Sequence, residues 1–309
     1  SAGRTAISPD ILRREMKPSP PPALCVSFTM PMLPFVALPY LAPPPDPPVP
    51  ASSVPPTVQQ MRRAMLDPEL NSLTFHSMHR LFTTRTVPRA GAVWALPRAD
   101  HALNFTYTFE GHTYSSSEFL ERTYTNALLV MKDGRVVFET YRNGTDAASR
   151  FIGWSMTKSI VSLLIGCAVA EGRIKSLDDP IDRYLSELKG GGYGGVTIRQ
   201  ILQMRSGVDY EERYDFGNPG TAARNHENAL VRNVVRFADA ARTIKRKNPP
   251  GAVWQYKTLD TAVLGWLLER VTGSTLAAYT AQRLWEPLGA GADGLNIMSD
   301  IYPSGLGDF

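Results

Sequence analysis

The sequence predicts an α+β fold, with strands early and a block of helices after them. Three observations carry that prediction. Phe105 to Glu110 (F-T-Y-T-F-E) is rich in aromatic and β-favouring residues, and Asp133-Gly134 separates two further β-favouring runs. Ser155 to Glu171 is then apolar on nearly every face of a helix. Strands first and helices after is the α+β order, not the alternation of a parallel sheet.

The elements follow in chain order. Residues 1–60 read as a Pro-rich leader: of 25 prolines, 16 fall in residues 1–56 and nine in the remaining 253. Each proline removes a backbone donor and fixes φ, which excludes ordinary helix or strand there. Met16-Lys17 and the apolar stretch Ala23 to Ala42 have the layout of an export signal, but Pro31, Pro34 and Pro39 interrupt its middle. The leader therefore reads either as a partial signal or as disordered chain, and the compartment stays open. Residues 61–309 are assigned to one domain with a sizeable core.

Within that domain, Arg62 to Leu81 is read as a weakly periodic helix. Ser115-x-x-Glu118 is a capping box opening a short helix to about Arg122. Asn126 to Lys132 and Arg135 to Tyr141 form a hairpin, because Asp-Gly favours the two-residue type I′ turn. The apolar run Ser155 to Glu171 is expected to be a buried central helix stopped by Gly172. Asp178 or Asp179 is expected to cap another helix with Pro180 in its first turn. Thr197 caps Ile198 to Arg205, ended by Ser206-Gly207. Leu259 to Thr272 is closed by Gly273, and Leu276 to Trp285 is the last helix.

Composition narrows the function. The net charge is +4 without a dense basic stripe, which argues against nucleic acid as a partner. Arg242, Lys245, Arg246 and Lys247 are read as a solvated loop. No apolar run of about 18 residues exists, so no integral membrane segment is expected. Two cysteines, Cys25 and Cys167, give no disulfide framework. His76 and His79 lack a third ligand nearby, so no metal site is expected.

The chemistry centres on Ser155-Met156-Thr157-Lys158. An S-x-x-K alone is weak evidence, and Ser186-Glu187-Leu188-Lys189 is a second copy. Context separates them, since only Ser155 opens a buried helix. Residues three apart share a helix face, so Lys158 reaches the Ser155 hydroxyl. A serine is a poor nucleophile until a base takes its proton, and burial of Lys158 by the apolar helix would make it a better base. The helix N-terminus favours developing negative charge, and the Ser155 N–H is a candidate oxyanion donor. Tyr256, after the rigid Pro249-Pro250-Gly251 turn, stands at a loop-to-helix junction from which a phenol can relay a proton.

These motifs, with Thr197-Ile198-Arg199-x-x-Leu202 through Ser206-Gly207, stand in an order that resembles the serine β-lactamase-related hydrolases. The similarity is to the class C-type branch, which includes esterases and D,D-peptidases, and most of all to 6-aminohexanoate-dimer hydrolases. It implies a β-lactamase/transpeptidase-like fold and an acyl-enzyme on Ser155. Lys158 and Tyr256 would transfer protons, with a small-molecule amide or ester as substrate and no metal or organic cofactor. It further implies that Tyr214, with Tyr210 as the alternative, lines the cleft and holds the leaving amine. Two departures matter. The branch usually carries Tyr-x-Asn where this sequence has Tyr256-Lys257-Thr258, which favours a linear amide or ester over a β-lactam. The family's third motif, Lys or His followed by Thr/Ser-Gly, does not follow Tyr256. The resemblance therefore implies a C-terminally incomplete domain with missing sheet strands and an open hairpin edge. A penicillin-recognising enzyme and a non-catalytic remnant or binding protein are the rival readings.

Overall fold

The computed structural model describes residues 52–67, 69–215 and 217–297, and the leader expectation for residues 1–51 lies outside them. The compositional boundary at residue 60 falls inside helix α1, Pro56–Arg63. Ser52 Oγ donates to the Arg232 carbonyl, and Val54 is buried, so the chain is already engaged before that helix. The helix expected over Arg62 to Leu81 is instead α1, a 3-10 turn at Ala64–Leu66, and two single turns, α2 (Asn71–Thr74) and α3 (Met78–Leu81). The weak periodicity of the segment and Pro68 within it fit this interruption.

The early strands form hairpins. β2 (Thr106–Phe109) pairs antiparallel with β3 (His112–Ser115), a strand the sequence reading missed. Glu110 and Gly111 between them both have positive φ, which is type I′ geometry without the favoured Asn or Asp. Ser115 then caps α4 (Ser116–Arg122) in the expected box: Glu118 N–H donates to Ser115 Oγ, and Ser115 N–H donates to the Glu118 carboxylate. β4 (Ala127–Lys132) and β5 (Arg135–Tyr141) form the expected hairpin through Asp133 and Gly134, both at positive φ, with one irregularity between Val130 and Met131.

The outer edge of β5 is not open. Residues 97–101 run along it, with Val136 N–H donating to Pro97 O at 2.9 Å and Ala99 N–H to Val136 O at 2.8 Å. A third ladder joins distant segments: β1 (Thr84–Val87) pairs antiparallel with β6 (Gly294–Ile297). Among the described residues the sheet content is thus three two-stranded ladders.

The helices supply the core. α5 (Met156–Ala170) packs against α9 (Thr258–Thr272), and α9 packs on α6 (Ile198–Leu202). Val161, Leu164, Ile165 and Ala168 of α5 meet Val263, Leu264, Leu267 and Leu268 of α9 in one cluster. Gly172 and Gly273 follow these helices at φ 69° and 67°, the left-handed stop a glycine adopts without strain. α5 is not buried all round, however. Leu163 is 58% exposed beside fully buried Leu164, so one face of this apolar helix is open.

Three further expectations change. No helix follows Asp179: Pro180 is extended, bridges to Thr197, and leads into one 3-10 turn, Ile181–Arg183. α6 stops at Leu202 because Met204 turns to φ 56°. The last helix is α-helical only over Leu276–Thr280 (α10) and widens to a π turn over Ala281–Trp285. The sequence reading also missed α7, Thr221–His226, the π turn Glu227–Val231 that continues it, and the single turn α8, Ala240–Thr243. Among the described residues no helix is long and apolar enough to cross a membrane.

Candidate active site

The site starts from the turn that precedes α5. Trp154 has φ 41°, a left-handed conformation costing an L-residue on the order of 1–2 kcal/mol. Its ring packs edge-on against Phe75 at 5.7 Å, which helps hold it there. The chain then closes three successive i→i+3 bonds: Met156 to Gly153, Thr157 to Trp154 and Lys158 to Ser155. Ser155 stands at the N-cap but its side chain caps nothing. A capping hydroxyl would be committed to the backbone, whereas here the residue is exposed and its Oγ makes no capping bond. The Ser155 N–H has no hydrogen-bond acceptor among the described residues.

Two polar hydrogens converge on that oxygen. Lys158 Nζ donates to Ser155 Oγ at 3.0 Å from one turn along the same helix. Tyr256 OH donates to it at 2.5 Å from the far side. Lys158 Nζ also lies 4.8 Å from the Tyr256 ring centroid, a cation–π distance. The expected enclosure of Lys158 by the apolar helix is not met, since the residue is only half-buried. Its constraint comes from the two side chains it touches. The second S-x-x-K behaves differently: Lys189 is exposed, and the Ser186 hydroxyl turns to Glu187.

The Tyr256 segment is held by stitches to the loop after α6. Asp209 N–H donates to Lys245 O, Gly251 N–H to Arg205 O, and Gln255 N–H to Met204 O. Lys247 and Asn248 both donate to Gly207 O. Gly207 has φ 79°, and a Cβ there would lie 2.2 Å from Asn248 O. This is the physical content of the Ser206-Gly207 motif: only a glycine lets the two loops close on each other.

Residues 256–258 then meet three different sets of partners. Lys257 is extended, at φ −147° and ψ 115°, so its neighbours project to the opposite side. Tyr256 points out to Ser155. Lys257 is buried, beside a polar cluster of Tyr193, Ser206 and Asp260, each fully buried. Tyr193 OH donates to Asp260 Oδ1 at 2.6 Å. Burial raises the Asp260 carboxyl to about 6, although Tyr193, Ser206 and Lys257 pull the other way. Burial likewise lowers the Lys257 ammonium, against the attraction of Asp260 and Glu212.

Thr258 turns to Glu212, a residue the sequence reading did not single out. The Thr258 N–H donates to Glu212 Oε2 at 2.9 Å, and its hydroxyl donates to Oε1 at 2.5 Å. Tyr214 OH donates to the same Oε1 at 2.7 Å. The Tyr214 ring meets His226 edge-on at 5.9 Å. Burial, then the Glu212 hydrogen bond and charge, hold the Tyr214 phenol well above its ordinary pKa. Tyr214 is 40% exposed, whereas Tyr210, the alternative cleft residue, is 1% exposed and belongs to the core. Among the described residues no group of three His, Cys, Asp or Glu is placed to hold a metal ion.

A serine hydroxyl at a helix start, met by a lysine one turn on and by a tyrosine from a separate loop, is an arrangement suited to nucleophilic chemistry with proton relay. The family model described as beta-lactamase matches residues 117–297, more than half of the chain, and the chain belongs to that family. Named relatives within it are hydrolases. The chain is 32% identical over 179 residues to the 6-aminohexanoate-dimer hydrolase of Paenarthrobacter ureafaciens, covering 56% of this chain and 45% of that one. It is 35% identical over 147 residues to esterase EstB of Burkholderia gladioli, covering 44% and 36%. The chain thus spans under half the length of these two curated relatives. A solved structure provisionally named as a 6-aminohexanoate-dimer hydrolase, from Bacillus anthracis, superposes with a TM-score of 0.70 over 80% of this chain and 67% of that one. The two are 22% identical in sequence and share the fold.

Proposed function

We propose that this chain is a serine hydrolase that cleaves a small linear amide or ester through an acyl-enzyme on Ser155. The observation that carries the reading is the convergence of Lys158 Nζ and Tyr256 OH on an uncommitted Ser155 Oγ. In the acylation step the Oγ–H bond breaks and its proton passes to whichever of Tyr256 and Lys158 is in its basic form. Oγ then bonds to the substrate carbonyl carbon. The carbonyl oxygen takes up negative charge beside the Ser155 N–H at the start of α5, where the helix dipole favours it. Collapse of this intermediate breaks the bond to the leaving group, which takes the proton back from the relay. Water then repeats the sequence on the acyl-enzyme and releases the acid.

Thr258 supports a linear substrate. It occupies the third place of the Tyr-x-Asn pattern, but its hydroxyl is spent on Glu212 and does not offer a β-lactam side chain the contact an Asn would. The relatives named as a dimer hydrolase and an esterase favour the same substrate class.

A fluorophosphonate probe with peptide mapping tests the reading. The expected adduct is on Ser155 and is lost in Ser155→Ala. An adduct elsewhere, or none, with no turnover of p-nitrophenyl esters, overturns it in favour of a binding protein. Faster turnover of a chromogenic cephalosporin than of such esters would instead make it a penicillin-recognising enzyme.

A further inference from the structure

Lys257 is the only buried lysine among the described residues, at 1% exposed, and no step of the proposed chemistry uses it. An enclosed ammonium is costly, and a lysine stem is long enough to escape by snorkelling. Here the side chain turns inward instead. Burial lowers the ammonium and Lys247 adds to this, while the charges of Asp260 and Glu212 work against it. Lys257 bonds to neither carboxylate. Its single hydrogen bond among the described residues runs back along the chain, from Nζ to Gln255 O at 3.3 Å.

That carbonyl belongs to the Gln255–Tyr256 peptide, which has no other hydrogen bond among the described residues. Peptides before and after it are tied elsewhere. The Gln255 N–H donates to Met204 O at 3.0 Å, and the Thr258 N–H donates to Glu212 Oε2 at 2.9 Å. Between those two ties the backbone can rock about Tyr256, and the Lys257 bond opposes it. The Tyr256 hydroxyl, 2.5 Å from Ser155 Oγ, is the far end of a lever that pivots there. From this geometry we infer that Lys257 is a positioning residue for the relay: it clasps the Gln255–Tyr256 peptide from the buried side and so sets where the Tyr256 hydroxyl stands over Ser155 Oγ. This role rests on the serine hydrolase reading and deepens it. A misplacement of about 1 Å in such a contact can cost on the order of 10²-fold in rate.

The clasp has its own footing. Asp260 lies three residues on, in the first turn of α9, and is held by the Tyr193 hydroxyl at 2.6 Å. Its carboxylate attracts the ammonium through charge and not through a hydrogen bond. What reaches Gln255 O is an N–H, which an ammonium and a neutral amine both carry. The clasp therefore requires a donor and not a charge, and this separates it from a role as counter-ion to Asp260.

The test is run in an Asp260→Asn background, where loss of the lysine leaves no carboxylate alone at that place in the core. Turnover of p-nitrophenyl butyrate is normalised to the fraction of chain whose Ser155 takes a fluorophosphonate at completion, so that unfolded protein does not count. Lys257→Met keeps the stem and removes the donor. Relative to the background, kcat is expected to fall about tenfold to hundredfold with KM little changed. Lys257→Gln keeps an N–H donor without the charge and is expected to restore most of that loss. In a Tyr256→Phe chain the same Lys257→Met exchange should cost nothing further, because no hydroxyl is left to place. A full kcat in Lys257→Met, or a loss that multiplies with that of Tyr256→Phe, overturns the inference while Ser155 phosphonylation leaves the hydrolase reading standing. So does a Lys257→Gln variant as slow as Lys257→Met, which would show that the donor is not what matters. Should Lys257→Met not fold, Lys257→Gln decides: kcat held within about threefold while Tm falls supports the clasp, and a loss of about tenfold overturns it. If the wild-type chain turns over no ester and Ser155 takes no phosphonate, the hydrolase reading itself fails, and the positioning role falls with it.

Discussion

Tyr256 donates to Ser155 Oγ at 2.5 Å across 101 residues of chain, and Lys158 donates to the same oxygen from three residues away. The local partner is guaranteed by helix geometry. The distant one depends on two loops closing on each other, and most of the site's sensitivity to substitution lies there.

Removing the distant partner tests the relay. Tyr256→Phe keeps the ring over Lys158 and deletes one hydroxyl. The expected loss in kcat is about 10²–10⁴-fold, the usual contribution of a positioned proton-transfer group, with a much smaller change in KM. Steady-state hydrolysis of a p-nitrophenyl ester measures both. A loss carried by KM alone would show that the phenol only binds substrate.

Gly207→Ala tests the loop closure. The new Cβ would meet Asn248 O at 2.2 Å, in a backbone conformation that alanine disfavours. Destabilisation of about 2 kcal/mol or more is expected, read as a lower Tm together with slower phosphonylation of Ser155. A variant as stable as wild type would mean that the stitches at Gly207 O do not hold the Tyr256 segment.

The Asp260 carboxyl gives a pH dependence with a definite sign. Its pKa rises on folding from the usual value near 3.8 to about 6, with burial as the main cause. The folded state therefore favours the protonated acid. The contribution is fully present below about pH 4 and is lost as pH rises through 6, by on the order of 3 kcal/mol. Tyr193, Ser206 and Lys257 face the group and moderate the effect. Asp260→Asn keeps an acceptor for Tyr193 and cannot ionise. Its Tm should fall less than that of wild type between pH 4 and 7, and parallel curves would refute the assignment.

Two adjacent leucines on α5 separate burial from composition. Leu164→Ala empties a fully buried position against α9 and should destabilise by about 2–5 kcal/mol. Leu163→Ala acts on a side chain 58% exposed and should change stability by less than about 1 kcal/mol. Chemical denaturation of both variants measures the contrast, and equal losses would place Leu163 in the core as well.

The features readable in the sequence are those satisfied within a few residues. The Asp133-Gly134 turn, the Ser115–Glu118 box, the Thr197 cap, and the Gly172 and Gly273 stops each carry their partner within a few residues. Ser155 and Lys158 belong to that class, one turn apart on one helix. Tyr256 was found through the stiff Pro-Pro-Gly turn before it. What escaped depends on distant partners. The β1–β6 ladder joins Val87 to Gly294, and neither strand has a pattern strong enough to announce it. Glu212 meets Thr258 across 46 residues, a partner that no local motif announces. The open face of α5 escaped for a different reason. An all-apolar helix signals burial by its composition, but how much of it is covered depends on what packs there.

The stitches between residues 204–209 and 245–255 have a consequence for variation. They pin both ends of the intervening chain side by side at the foot of Tyr256, much as the neck of a hairpin fixes its loop. Tyr214 rides on that excursion, while Ser155 and Tyr256 lie outside it. Insertions or deletions in its exposed stretch near Asp215 and Asn218 would then change loop length at a closure entropy that grows only slowly. They would move Tyr214 and leave Ser155, Lys158 and Tyr256 where they are. The Tyr214 loop and the Ser155–Tyr256 pair can in this way diverge independently, joined through the hydrogen bonds of Glu212 to Tyr214 and Thr258.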